Sequence, residues 1–498
     1  MPGCITLPVP FFPFLLEHFS EEKAVFIHEI PRKNVNSFTF FLRIIDICSK
    51  RVYDKTMKRD IYQKLLDWKA SDRRKPLLLK GARQTGKTYI LKEFAKNEYE
   101  NAFYFNFEEE SHLKDFFRRD LKPRRIIEVL STYSKKEIHP GRDLIIFDEI
   151  QACNDALNSL KYFRERANEY HIAAAGSLLG VKLSTVKSFP VGQVNFLELF
   201  PLTFFEFLDA AGESRYRKLL EGLEELEPLP QPFHEDLLEL LKKYYYVGGM
   251  PEAVKYYIKT GSLSEVGAIH KEIIDAYVLD FGKHPPPADV PKISLIWESI
   301  PGQLARENKK FIFSAVKESA RARDYESALM WLVDSGLILR AFSVSTAKFP
   351  LKGYMNRNNF KVYLLDVGLL GRLAGVPLEV LVRGDRLFNE YQGAFVENFV
   401  AQQLSSSLMI DLCYWRSEGK MAELDFLCTV DNKIYPLEVK AGINPKSKSL
   451  KSYHQQFHPP LLIRSTLLNL KYDGKICNIP LYGISCLPQI IRLASKNI

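Results

Sequence analysis

Leu77-Leu78-Leu79-Lys80-Gly81-Ala82-Arg83-Gln84-Thr85-Gly86-Lys87-Thr88 is an apolar strand running into a glycine-bounded loop, and Tyr89-Ile90-Leu91-Lys92-Glu93-Phe94-Ala95-Lys96 continues as a helical segment. Each part has a chemical role in holding phosphate. Gly81 and Gly86 allow a tight turn whose backbone N–H groups, from Ala82, Arg83, Gln84 and Thr85 onward, face an anion. The helix that follows adds the positive end of its dipole. Lys87 brings a mobile cation to the outer phosphates, and the Thr88 hydroxyl is a magnesium ligand.

A second stretch answers the first. Leu144-Ile145-Ile146-Phe147 is a buried-type strand that ends in Asp148-Glu149. Asp148 at the strand tip is placed to hold magnesium, and Glu149 to polarise an attacking water. A third strand, Ile172 to Ala175, ends in Gly176-Ser177. Ser177 is either a sensor of the terminal phosphate or a plain turn residue.

Further out, the runs LLLK, AFYFNF, LIIFDE and HIAAAGS alternate with helical stretches between Pro76 and about residue 200. That alternation predicts a parallel sheet flanked by helices.

GARQTGKT (81–88), FDEIQ (147–151), AGSLLG (175–180), SFPVGQVNFLELFPLTFFEFL (188–208) and YYYVGGMPEAV (244–254) occur in that order. Together they resemble the prokaryotic AAA+ ATPases that carry a conserved domain of unknown function after the ATPase. The resemblance covers nearly everything from Met57 onward. It implies ATP and Mg2+ as ligands, hydrolysis as the reaction, and a homo-oligomer in which a neighbouring subunit lends an arginine. Arg164 and Arg166 are candidates for that arginine, or are solvated helix charges. Many relatives carry a basic residue where this chain has Gln193, so a cation's role there is not transferred.

The C-terminal part holds a second constellation. Glu397 lies in the helical stretch NEYQGAFVENFVAQQL, Asp425 in the apolar strand-like MAELDFLCTV, and Glu438 and Lys440 in IYPLEVKAG. Alternation puts Glu438 and Lys440 on one strand face, and a turn at Asp431-Asn432 brings Asp425 beside them. Converging carboxylates with a lysine suit a hard cation such as magnesium, held by Glu397, Asp425 and Glu438. The pattern resembles the PD-(D/E)XK nuclease superfamily, which implies cleavage of DNA or RNA. The alternative is a cross-strand ion pair in a domain that binds a nucleic acid or protein without cutting. His454 and His458 are a weaker metal pair, or packing residues.

Between these parts, Tyr325, Ala328, Leu329, Leu332 and Val333 fall on one helical face, followed by Gly336 and the strand Leu337 to Val344. This suggests a winged-helix-like unit. Lys309, Lys310, Lys317, Arg321 and Arg323 precede it as candidate phosphate contacts, with plain scaffold as the alternative.

Composition agrees with this scheme. Of 498 residues, 46% are hydrophobic and 26% charged, as in a soluble globular chain of two or three domains. No apolar run reaches the ~18 residues of a membrane helix, and the proline-broken start is a poor signal peptide. Seven cysteines without a Cys-x-x-Cys suit a reducing cytoplasm. Of the net +9, nine bases against Asp473 from Lys440 onward supply +8, which favours a nucleic-acid partner or a solvated face. The expected organisation has four parts. Residues 1–56 are an N-terminal extension, with Met57 an alternative translation start, and 57–215 are a P-loop AAA+ α/β domain. Residues 216–385 are a helical, winged-helix-like region, and 386–498 are a restriction-endonuclease-like α/β domain.

Overall fold

The computed structural model describes residues 57–177, 192–283, 285–306, 309–377, 386–417, 422–442 and 448–496; the side chains of 177 and 386–392 are not described. All belong to one unit, Met57–Ile498. The expectation for residues 1–56 lies outside the described residues, as do Leu178 to Val191 of the motif-bearing stretches.

The first layer is a five-stranded parallel sheet. It joins β1 (Leu77–Gly81), β2 (Asn101–Asn106), β3 (Asp143–Asp148), β4 (His171–Ser177) and β5 (Asn195–Glu198) in the order β2-β3-β4-β1-β5. Helices α1 (Ile61–Ala70), α2 (Lys87–Glu98), α3 (Pro123–Ser134) and α4 (Asn154–Arg166) cover it. Leu77 and Leu79 contribute to one core while Leu78 contributes to another, because alternate side chains of a strand point to opposite faces. Parallel pairing sets Gly81 beside Ser177 and Asn106 beside Asp148, so the candidate residues Gly81, Asp148 and Ser177 gather at the strands' carboxyl ends.

A helical region follows: α5 (Phe204–Ala210), α6 (Ser214–Glu221), α7 (Gln231–Val247), α8 (Pro251–Thr260), α9 (Leu263–Phe281), α10 (Val290–Leu304) and α11 (Ala322–Asp334). β6 (Ile338–Val344) and β7 (Met355–Leu364) form an antiparallel pair, and α12 (Val367–Leu373) and α13 (Arg386–Ser406) come next. The last part holds β8 (Cys413–Arg416), β9 (Glu423–Leu424), β10 (Phe426–Val430), β11 (Lys433–Val439), α14 (Lys448–Phe457), β12 (Leu462–Thr466), β13 (Lys471–Tyr472), β14 (Ile476–Pro480) and α15 (Leu487–Lys496).

The boundary expected at 385 passes through a sheet. β6 pairs in parallel with β8, so one four-stranded sheet, β7-β6-β8-β9, draws strands from both sides of it. The other C-terminal sheet has the order β10-β11-β12-β14-β13 and mixes parallel with antiparallel pairs. The segment just before position 215 also packs away from the first sheet. Leu202, Phe204, Phe205, Phe207 and Leu208 are buried in the same core as Phe399 and Ile491, not under the first sheet. Phe204 lies edge-on to both Tyr244 and Phe399. Large aromatics find full burial only where helices from distant parts of the chain meet.

Within this core His270 is buried and its ring Nε2 lies 3.0 Å from the Val247 carbonyl oxygen. Burial holds its pKa down to about 4, against 6.5 for the free side chain. Between those values the unfolded chain takes a proton that the native state refuses, so stability falls as pH drops from 6.5 toward 4 and is unaffected above 6.5. The loss reaches roughly 3 kcal/mol near pH 4. Urea unfolding at pH 7 and pH 4.5 should show it, and His270→Asn should remove about one proton from the pH dependence. An unchanged slope in that variant would remove His270 from the account.

Candidate nucleotide site and the C-terminal carboxylate cluster

Gly81, at φ +158°, begins the loop after β1, and a Cβ there would stand 2.3 Å from the Leu199 carbonyl oxygen. Only glycine permits this approach. Gln84 at φ +63° and Gly86 at φ +92° then turn successive N–H groups to one side, the arrangement that forms an anion-binding nest. Two contacts brace the loop. The Thr85 hydroxyl donates to the Ala82 carbonyl at 2.9 Å, and Arg59 Nη1 donates to the Thr85 carbonyl at 3.1 Å. Arg59 is itself paired with Glu206 at 3.0 Å, inside the capping box of α5.

The Lys87 ammonium is buried and folds back on the loop, donating to the carbonyls of Gly81 at 3.0 Å and Ala82 at 2.8 Å. Burial lowers its pKa to about 8, although Glu149 and Asp148 pull the other way. A phosphate at the loop's mouth would supply the missing counter-charge. Thr88 Oγ1 donates to Asp148 Oδ2 at 2.7 Å, so the two expected magnesium ligands already meet. The same oxygen accepts from Tyr104 at 2.7 Å, which fixes the carboxylate's orientation. A hydroxyl and a carboxylate in contact beside an anion nest fit a magnesium ion, which Thr88 and Asp148 would hold. Glu149 lies just past the strand tip at φ +47°, a strained angle for a non-glycine residue, and accepts a hydrogen bond from Gln151. Ser177 ends β4 beside Gly81. Arg164 and Arg166 close α4, with Arg166 lying over the Tyr162 ring.

Sequence reasoning passed over Tyr104, Arg59 and Asp280. Asp280, near the end of α9, pairs with Arg83 at 2.7 Å, and Tyr277 donates to the Arg83 carbonyl at 2.9 Å. The loop is thus tied to the helical region as well as to its own sheet. Nothing in the spacing of these residues announces contacts across nearly 200 positions.

The C-terminal acids also converge. Asp425 is not in mid-strand but at the bend between β9 and β10, where the chain leaves one sheet and joins the other. Its Oδ2 accepts from the Val439 N–H at 2.8 Å, and Lys440 Nζ lies 2.7 Å from Glu438 Oε1. A residue unremarked in the sequence stands among these acids. Lys361, on β7 and almost fully buried, reaches Glu397 at 3.0 Å, Glu423 at 2.8 Å and Asp425 at 3.9 Å. Lys309 and the Tyr363 hydroxyl also bond to Glu397. Lys309, expected as a phosphate contact, is therefore spent on a buried carboxylate. The available signal was a lone lysine in the apolar run Phe360 to Leu365.

Burial would raise the Glu397 carboxyl, but Lys309 and Lys361 outweigh it and bring its pKa down to about 2. Burial, and then the charges of Glu397 and Glu438, push Asp425 up to about 7. Glu438 is raised as well, chiefly by burial, and its Oε2 is buried without a hydrogen-bond partner among the described residues. The metal set expected from Glu397, Asp425 and Glu438 does not fit as arranged. Both oxygens of Glu397 are engaged, and among the described residues no three acids, histidines or cysteines are disposed to hold an ion. Lysine ammonium groups take the place of the cation. His454 and His458 pack edge-on, 5.6 Å apart, without a third partner of that kind.

Comparison with known proteins places these sites in a domain series. Residues 73–208 match the model of an AAA domain, residues 238–379 a domain of unknown function (DUF8612), and residues 392–482 a second one (DUF4143). The chain therefore carries an AAA-type P-loop ATPase domain followed by two domains of unassigned role. Over 136 residues it is 35% identical to the uncharacterized protein Rv2008c of Mycobacterium tuberculosis and equally to Mb2031c of Mycobacterium bovis. Those matches span 26% of this chain and 27% of each relative. The Walker-type ATPase PABY2304 of Pyrococcus abyssi aligns at 14% identity and TM-score 0.42, over 65% of this chain and 99% of that one. The RuvB Holliday junction branch migration motor of Thermotoga maritima aligns at 14% and TM-score 0.27, over 59% and 90%. Neither likeness is close enough to carry a functional argument. No helix among the described residues is long and apolar enough to cross a membrane.

Proposed function

We propose that this protein hydrolyses ATP with magnesium and couples that turnover to binding a nucleic acid through its C-terminal half. The observation that carries the first part is the contact of Thr88 with Asp148 at the mouth of the anion nest. In this reading the loop N–H groups and Lys87 bind and orient the phosphates. Thr88 and Asp148 would hold magnesium, which supplies charge compensation at the phosphates. Glu149 accepts a proton from the attacking water, and Ser177 at the tip of β4 senses the terminal phosphate. Asp280, by holding Arg83, gives nucleotide at the loop a route to the helical region, since any phosphate that recruits Arg83 must break that pair.

The nucleic-acid part is supported by the basic balance after Lys440. Lysine neutralisation of the acid cluster favours binding without cutting. A second reading, metal-dependent cleavage at Asp425, Glu438 and Lys440, is favoured by one observation, the buried Oε2 of Glu438, unpartnered among the described residues.

One assay tests all three parts. Purified protein is given ATP and magnesium, with and without end-labelled DNA or RNA, and phosphate release and strand length are followed together. We expect magnesium-dependent phosphate release, stimulated by nucleic acid, with strands intact. Absence of hydrolysis under every condition would overturn the ATPase reading. Strand cutting that Asp425→Ala abolishes would replace the binding reading with the nuclease one.

A further inference from the structure

The order α10, a bridge from Lys310 to Lys361, a short turn at Phe313–Ala315, α11, β6 and β7 is that of a winged helix, with residues 345–354 as the wing. In such a unit the helix before the hairpin is the expected reader of a groove. Here its exposed residues argue against that. Arg323, Asp324 and Glu326 face solvent, and Arg323 is already beside Asp324 at 3.6 Å. With the exposed Arg321 at the helix start the charges cancel, so the face offers no net attraction to a phosphate backbone.

The wing has a different character. From Gly336 to Leu365 the chain has no acid, and of its five bases Lys348 and Lys352 in the wing and Arg357 on β7 are exposed, while Arg340 is half-buried and Lys361 is buried among the acids. Two large aromatics in the wing are left in solvent, Phe349 at 54% and Tyr354 at 41% exposure. They are not the tip of a loose loop. Leu351 between them is buried in a small core with Val344, Trp415, Leu450 and Tyr453, and the Gly353 N–H bonds to the Pro350 carbonyl at 3.0 Å. Anchoring at Leu351 leaves the rings on either side outside that core. The same small core seats α14, whose Lys448 and Lys451 are exposed. On β7 a register shift opposite Phe342 and Ser343 leaves Arg357 and Asn358 projecting and exposed. Lys352 is paired with Asp411 at 2.7 Å, in a contact open to solvent.

We propose that this face, the wing aromatics Phe349 and Tyr354 bordered by Lys348, Arg357, Lys448 and Lys451, is a docking surface for single-stranded nucleic acid. Exposed rings accept unstacked bases without sequence preference, and the surrounding cations follow the phosphates. Paired bases in a duplex cannot reach the rings, so the aromatic part of the surface selects single strands. The inference rests on the nucleic-acid reading above and names the element that carries it. β7 leads from this surface to Lys361 and the buried acid cluster, so a bound strand would lie at one end of a strand whose other end joins that site.

The test uses the full chain and fluorescent 20-nucleotide probes: single-stranded DNA, RNA of the same sequence, and duplex DNA. Anisotropy titrations at several salt concentrations compare wild type with Phe349→Ala/Tyr354→Ala and with Lys348→Glu/Arg357→Glu. Loss of both rings should weaken single-strand binding at least about tenfold and leave duplex binding nearly unchanged. Charge reversal should weaken every probe and flatten the salt dependence, by about 0.7 in log–log slope for each lost phosphate contact to a single strand. Basal ATP hydrolysis should be unchanged in both variants, which reports that they fold. Wild-type affinity in both variants would overturn this surface and leave the broader reading standing. Failure of the wild type to bind any probe would overturn the nucleic-acid reading itself. A polyglutamate peptide that binds at this face, with no probe bound, would identify an acidic protein partner instead.

Discussion

Lys87→Ala is expected to abolish measurable ATP turnover while leaving the protein folded. The ammonium is the buried cation of the loop, hydrogen-bonded to the Gly81 and Ala82 carbonyls. Removing one preorganised cation from a dry phosphate site costs on the order of 100- to 1,000-fold in rate. Burial outweighs the pull of Glu149 and Asp148 and lowers its pKa to about 8. Truncation therefore relieves a desolvated charge, and the variant should melt at or above the wild-type temperature in the absence of ATP. What disappears is stabilisation by ATP, which for the wild type is about 2.7 kcal/mol at a hundred times the dissociation constant. Glu149→Gln separates the two roles. It keeps the loop and the stabilisation by ATP, and loses turnover by roughly 100- to 10,000-fold, the usual worth of a general base. Thermal shifts with and without ATP, run beside phosphate release, distinguish these patterns. Full turnover in Lys87→Ala would remove the loop from the chemistry.

Lys361→Met should destabilise the C-terminal half by about 3–5 kcal/mol, the usual cost of leaving buried charges without their partner. The side chain is 2% exposed and is the shared cation of Glu397, Glu423 and Asp425. Methionine keeps most of the volume, so the loss is electrostatic rather than a cavity. Neutralising a carboxylate should then restore stability. Lys361→Met/Glu397→Gln is expected to recover a substantial part of it, a coupling that a double-mutant cycle in urea reads directly. If magnesium rather than lysine balanced these acids, Lys361→Met would be mild and millimolar magnesium would stabilise it. That outcome would reopen the metal site.

The sequence alone determined the part of this protein whose chemistry is local. The run from Leu77 to Thr88 specifies strand, loop and helix because each step depends on near neighbours: apolar alternation, glycines where the backbone turns, and a cation and hydroxyl at the helix start. The tip of β3 reads the same way, and so does the parallel sheet that joins them. The C-terminal acids were visible as a set, Glu397, Asp425 and Glu438 with Lys440, because strand periodicity predicts which residues share a face.

Only the tertiary structure decided which groups those acids meet. Charge balance in a buried site is a sum over every element that reaches it, and Lys361 and Lys309 arrive from segments with no motif of their own. The same holds for Asp280 at the P-loop, and for a sheet that closes across position 385 by pairing Phe342 with Cys413. Pairing between residues so far apart follows from packing of the whole core, not from any local spacing. A pattern on one strand states which groups are available, and the fold determines which of them are already taken.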